Sequence, residues 1–224
     1  MPRVFDMEQR SAAWYKIHSG RITASRMCDL MAYSKAKGKE GTELKSRADY
    51  RDEMIAERLT GRMSQHFVSD QMKRGIEEEA IARGAYEIDQ DCDVDEVGFV
   101  MHSIYGWAGC SPDGLIGASR GLEIKNLTTV NHLALWKTKI VPADYYDQIQ
   151  WNLFICEFHD WHFVSYDSRL RERAPHLQLL IIPVQRDEKR IAELEAEGKK
   201  MDAEIKAAIA ELDVLAGKPQ EVAQ

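Results

Sequence analysis

The stretch GCSPDGLIGASRGLEIK, residues 109–125, sets an aspartate ahead of a Glu-x-Lys. Gly117, Ser119 and Gly121 are turn formers around Ala118, and a hairpin symmetric about 118 would put Asp113 opposite Glu123. Directly opposed residues on paired strands have Cβ atoms ~5 Å apart, so the two carboxylates could share one metal ion. Strand alternation sends Glu123 and Lys125 to one face and Leu122 and Ile124 to the other. Two carboxylates and an amine beside an apolar face are costly unless a cation or substrate compensates them. Hard oxygen donors suit Mg²⁺, which takes few protein carboxylates and keeps several waters, with Mn²⁺ as the natural substitute. Such an ion can activate water and stabilise the leaving oxygen in phosphodiester hydrolysis. Lys125 could orient or deprotonate that water, or balance charge on the phosphate. The plainer alternative is a surface hairpin carrying a Glu–Lys pair.

Two further polar residues sit on expected helices. In the helix expected over 69–85, Met72, Ile76, Ala80 and Arg83 mark one face, and the 3.6 period puts Glu79 on it. A metal and a salt bridge to Arg83 are both candidate partners for that carboxylate. In DYYDQIQWNLF, Gln148 shares a stripe with Tyr145 and Asn152 on an otherwise apolar helix. That stripe faces either water or a phosphate or metal-bound water. The alternating Asp89, Asp91, Asp93 and Asp95 do not make a calcium loop, because Val94 and Val100 occupy the positions where one needs Gly and Glu. His159 and His162 would point to opposite faces of a strand.

The elements that must position these groups follow from periodicity. Helices are expected over 6–18, 23–32 (with Thr23 as N-cap and Met27, Leu30 and Met31 as its apolar stripe), 46–60 (Met54, Ile55 and Leu59 inward), 69–85 and 143–157. Strands are expected over 97–101, 104–109, 161–166 and 178–184, with a hairpin over 114–117 and 121–127. Residues 33–45 read as a mobile basic loop. Residues 187–216 read as an amphipathic helix with Ile191, Leu194, Met201, Ile205, Ile209 and Leu212 along one side. This order gives a mixed α/β (α+β) chain, and 224 residues at 44% hydrophobic content suffice for one domain over 1–224.

The net charge of -7 argues against a nucleic-acid partner until its distribution is considered. Cations predominate over residues 1–75 and acids over 76–113. A basic face beside an acidic pocket is what a metal-dependent nuclease needs. The four cysteines show no C-x-x-C spacing, so neither a zinc site nor a redox pair is indicated. No four-cysteine pattern supports an iron–sulfur cluster. Neither a secretory signal nor a membrane span is evident, so a cytoplasmic setting is expected, that of the host cell if the chain is phage-encoded.

Five motifs then fall in one order: WYKIHSGRITAS (14–25), GIEEE (75–79), CSPDGL (110–115), GLEIK (121–125) and YYDQIQ (145–150). With them the chain resembles the lambda exonuclease and YqaJ-type viral recombinase nucleases, of the restriction-endonuclease-like Asp…Glu-x-Lys superfamily. The resemblance implies a restriction-endonuclease-like core, a central mixed sheet flanked by helices. It implies Mg²⁺ ligation by Asp113, Glu123 and the Ile124 carbonyl, with Lys125 catalytic and Glu79 and Gln148 completing the pocket. Ser25 and Ser111 would bind a terminal 5′-phosphate. It further implies 5′→3′ digestion of one strand of duplex DNA to leave a 3′ overhang, a homotrimeric ring, and a single-strand annealing partner in phage recombination. The chain departs from the family at His18, where an arginine contacts the phosphate, and Arg21 is a possible replacement. Asn126 and Leu127 stand where Cys-Pro is frequent, with little catalytic effect expected. Lys35, Lys37 and Lys39 could touch DNA. A related endonuclease and a non-catalytic DNA-end-binding module are the alternatives, and the intact Asp113, Glu123 and Lys125 argue against the second.

Overall fold

The structure is a computed structural model that describes residues 1–64 and 70–217. Strand β1 (Arg3–Phe5) leads into α1 (Ala12–His18), β2 (Ile22–Thr23), α2 (Met27–Leu30), α3 (Lys45–Thr60) and α4 (Asp70–Gln90). Then come β3 (Phe99–Met101), β4 (Ala108–Cys110), β5 (Gly114–Ile116), β6 (Arg120–Lys125), α5 (Thr129–Thr138) and α6 (Ala143–Cys156). The chain finishes with β7 (Asp160–Tyr166), β8 (Leu179–Gln185) and α7 (Glu188–Leu215). The expected mixed sheet flanked by helices divides into two four-stranded sheets, ordered β1-β3-β4-β2 and β5-β6-β7-β8. Each holds one parallel pair, β2 with β4 and β6 with β7.

Helix α6 holds the two sheets together. Every residue from Ile149 to Cys156 is buried, and Trp151, Leu153, Phe154 and Ile155 share one apolar core with Ile22, Cys110, Trp161, Phe163 and Ile182. On the opposite face of the second sheet, Ala82 and Tyr86 of α4 pack against Leu122, Ile124, Val164 and Tyr166. Strand β6 thus lies between two helices. Its even-numbered residues face α4, leaving Glu123 for α6, as the alternation requires. The hairpin register is the expected one: Gly114 pairs with Leu122, Leu115 with Gly121 and Ile116 with Arg120. Gly117 closes the turn at a φ of +55°, where a side chain is disfavoured.

Gly121 lies beside Trp161 on β7, and a Cβ there would run into the buried indole ring. Gly121→Ala is therefore expected to destabilise the fold by about 1–3 kcal/mol, read from the urea midpoint. An unchanged midpoint would show that the ring can yield.

Several local expectations are corrected. The first helix begins at Ala12 rather than residue 6, because the Ser11 hydroxyl caps it, accepting from the Trp14 N–H at 3.2 Å. Thr23 makes no capping bond; a 3₁₀ turn over Ala24–Arg26 precedes a short α2. Leu59 faces outward at 53% exposure, where the last turn of α3 runs out beyond the core. Residues 104–107 form a turn rather than a strand, with Ile104 exposed. On α4 the inward residues are Ala82, Arg83 and Tyr86, whereas Ala80 is exposed. Residue 69 and the side chains of Met72 and Ile76 lie outside the described residues. Helix α7 packs on its own chain, with Ile191, Leu194, Met201 and Ile205 buried, but Leu212 is 46% exposed and leaves the stripe. Of the cysteines, Cys110 and Cys156 are buried and Cys28 is exposed; all are free. Among the described residues no helix is long and apolar enough to cross a membrane.

Candidate active site

Glu123 is 1% exposed and both of its oxygens are engaged. Oε1 accepts from the Lys125 ammonium and from Gln148 Nε2, the latter at 2.6 Å. Oε2 accepts from Asn152 Nδ2 at 3.1 Å. Gln148 and Asn152 stand one turn apart on α6, so a single helix face grips one carboxylate from above. The opposite amide atom, Asn152 Oδ1, is buried without a hydrogen-bond partner among the described residues. Lys125 lies over the Tyr145 ring, 5.3 Å from its centroid.

Asp113 precedes β5, and its Oδ2 accepts from the Ile124 N–H at 2.6 Å across the hairpin. Arg83 of α4 donates to the Asp113 carbonyl at 3.1 Å and to Glu79 Oε1 at 3.1 Å, and it also pairs with Glu96. Glu79 faces Arg10 at 3.9 Å. The expected i,i+4 pair with Arg83 therefore exists and does not exhaust this carboxylate. The structure brings Asp113, Glu123, Lys125, Glu79 and Gln148 together, with Ile124 supplying backbone between them.

The electrostatics fit one crowded negative site. Burial, opposed by Lys125 and reinforced by Asp113, pushes Glu123 up to about 7. Burial and the Asp113 charge push Glu79 up to about 7. Burial also raises Asp113, against the pull of Lys125 and the Ile124 N–H. Burial alone would lower the Lys125 ammonium, but Glu123 and Asp113 overcome it and hold it above the usual lysine range. Lys125 is therefore a cation across the neutral range.

The other sequence candidates separate. Trp14 Nε1 donates to Ser111 Oγ at 2.9 Å, and its ring lies 4.5 Å from that of His18. His18 and Ser111 thus flank one indole. Burial, aided by Arg21 and Arg26, lowers His18 to about 4, so its ring is neutral and offers a phosphate a hydrogen bond rather than a charge. Ser25 is exposed at the 3₁₀ turn, and Lys35, Lys37 and Lys39 are exposed on their loop. Arg21 is tied to the carbonyls of Ile17 and, at 3.0 Å, Gly106, and no hydrogen bond joins it to Ser25 or Ser111. Asn152 is the site residue that its type did not announce, although the helical stripe it shares with Gln148 is visible in the sequence.

Comparison with known proteins identifies the family and the fold. The YqaJ-like viral recombinase domain matches residues 13–159. An alkaline exonuclease (LHK-Exo) from Laribacter hongkongensis is 35% identical, with a TM-score of 0.82 over 93% of this chain and 99% of that one. Its complex with dAMP matches over the same shares at 34% identity. A phage-related exonuclease from Haemophilus somnus 129PT shares the fold, with a TM-score of 0.62 at 12% identity over 86% of this chain and 96% of that one. No curated protein sequence matches significantly. The fold and these matches define an exonuclease of the restriction-endonuclease-like class. More narrowly, the chain belongs to the YqaJ-like viral recombinase domain family.

Proposed function

We propose that this chain is a Mg²⁺-dependent 5′→3′ exodeoxyribonuclease that degrades one strand of duplex DNA from its end and leaves a 3′ single-stranded overhang for recombination by strand annealing. The observation that carries the reading is the buried Asp113–Glu123–Lys125 group, gripped from α6 by Gln148 and Asn152. Two features support a hard divalent cation there. The donors are all oxygens, and burial with the Asp113 charge holds Glu123 and Glu79 near neutrality while burial raises Asp113 above its ordinary value, a cost that a cation would relieve. Mg²⁺ binds through one or two protein carboxylates and retains water. Asp113, Glu123 and the Ile124 carbonyl would hold it, with Glu79 nearby.

Bound there, such a cation supplies Lewis acidity toward the scissile phosphate. The remaining work belongs to the chain. Lys125, held protonated by Glu123 and Asp113, stabilises negative charge on the phosphate as water attacks phosphorus and the P–O3′ bond breaks. The products are a 5′-mononucleotide and a new 5′-phosphate on the shortened strand. Gln148 and Asn152 fix the Glu123 carboxylate beside Lys125, an orientation in which it would serve a cation as ligand. Carboxylates that ionise only near neutrality load metal best at raised pH, in keeping with a relative described as alkaline. The relative's complex with dAMP is also consistent with a pocket of mononucleotide size. Ser25, Ser111 and the neutral His18 would receive the terminal phosphate through hydrogen bonds. A homotrimeric ring enclosing the duplex and an annealing-protein partner complete the reading.

Linear duplex carrying a 5′-phosphate on one strand tests this reading in Mg²⁺ against EDTA. Selective Mg²⁺-dependent loss of the phosphorylated strand is expected. Equal attack on both strands would remove the phosphate pocket, and DNA binding without degradation would leave an end-binding module. Asn152→Ala should weaken Mn²⁺ binding about tenfold, the usual scale for residues that orient a ligand, measured by titration calorimetry without DNA. Unaltered affinity would reduce Asn152 to a packing residue.

A further inference from the structure

A cavity of about 610 Å³ opens between the turn after α1, the end of α3, the loop before β4, and α7. None of its lining residues belongs to α4, β5, β6 or α6, which build the carboxylate centre. Its charged lining is Lys16, Arg21, Arg58 and Lys206 against Glu57 and Asp202. Both acids are already engaged. Glu57 is 2% exposed and accepts from the backbone N–H groups of Gly20 and Ser64, each at 2.7 Å. Asp202 is shared by Arg58 at 2.8 Å and Lys206 at 2.7 Å. Among the described residues Arg21 bonds to carbonyls alone, which neutralise no charge, and Lys16 stands exposed at the rim. Burial and the nearby Arg3 and Arg58 all disfavour the charge on Arg21, so an anion in the cavity would relieve a standing repulsion. Two cations in a concave wall, with no carboxylate partner among the described residues, focus positive potential.

We propose that this cavity binds a backbone phosphate of duplex DNA, held by Lys16 and Arg21 apart from the cleavage centre. The inference rests on reading the chain as an enzyme of DNA ends. A duplex carries a negative charge every ~1.7 Å along its axis, so a chain with net charge -7 must concentrate uncompensated cations wherever the strand passes. The planar fork of arginine matches a phosphate's paired oxygens.

Fluorescence anisotropy with duplex DNA in EDTA, over a range of KCl concentrations, tests it. In Lys16→Glu/Arg21→Gln, the slope of log affinity against log salt is expected to be shallower by about 0.9 for each phosphate no longer neutralised. Lys16→Glu alone, at an exposed position that cannot unfold the chain, should show part of that change. Unchanged slopes in both variants, with wild type binding DNA, would overturn the cavity site and leave the nuclease reading intact. Failure of wild type to bind any duplex would overturn both together. A melting-temperature rise with inorganic phosphate that the variants abolish, at an unchanged DNA slope, would assign the cavity to free phosphate and overturn the DNA assignment.

Discussion

Lys125→Met is expected to slow single-turnover strand degradation about 10³-fold in saturating Mg²⁺, while duplex affinity changes little. The size follows from losing a preorganised cation at the developing phosphate charge, typically 10²–10³-fold in rate, in a site whose other groups stay in place. The selectivity for rate over binding follows from geometry. Lys125 is bound to Glu123 and lies over Tyr145, so it is held for the reacting phosphate rather than for the duplex at large. Lys125→Arg should not restore the rate, because the wider guanidinium cannot occupy the space between the Glu123 carboxylate and the tyrosine ring. Rapid-quench kinetics on an end-labelled duplex measures this. A slowing of less than tenfold would show that the lysine is a structural counter-ion. The same substitution leaves two buried carboxylates without their cation, a change that costs far more than the intact pair contributes. The metal-free variant should therefore melt below wild type above neutral pH, and added Mg²⁺ should recover much of the difference.

Glu123→Gln and Asp113→Asn should each abolish measurable degradation and Mn²⁺ binding, and Glu123→Gln should also flatten a pH effect on stability. Glu123 and Glu79 ionise near 7 in the folded chain against an ordinary glutamate value of 4.5. A group with its folded pKa raised keeps its proton more tightly when folded, so its contribution to stability is complete below about 4.5 and is lost as pH rises through about 7. In EDTA, wild type is expected to lose melting temperature between about pH 5 and pH 8. In Glu123→Gln the same titration should be distinctly flatter, since one ionising carboxyl has gone and the Asp113–Glu123 repulsion has gone with it. Mg²⁺ should restore stability to wild type near the top of that range and do little for the variant. Differential scanning fluorimetry over this range decides the matter. A wild-type melting temperature that climbs with pH in EDTA, or a variant curve parallel to it, would contradict the buried, mutually repelling carboxylates.

The geometry of the centre was legible in residues 109–125 because it obeys a local rule. A hairpin closed about residue 118 fixes its own register, and period-two alternation then assigns Glu123 to one face and Leu122 and Ile124 to the other. Glu79 and Gln148 were placed on their helices by the 3.6 period, and the order of the five motifs led to the family. The features that stayed open depend on surfaces brought together from distant segments. Whether the Gln148 stripe faced water or the site was undecided until α6 packed between the two sheets. That same packing buried Asn152 beside Glu123, with one amide atom unpaired among the described residues. His18 has the composition of a titratable phosphate ligand, yet the indole of Trp14 and two neighbouring arginines keep it neutral. Arg21, one candidate for the terminal phosphate, is drawn by two carbonyls into the wall of another cavity. Leu59 and Leu212 belong to apolar stripes that outrun the core they pack on. Residue types and short-range periodicity thus dictate which groups can react and on which strand or helix each stands. Burial, charge state and partners came from packing alone, since each is a sum over neighbours far away along the chain.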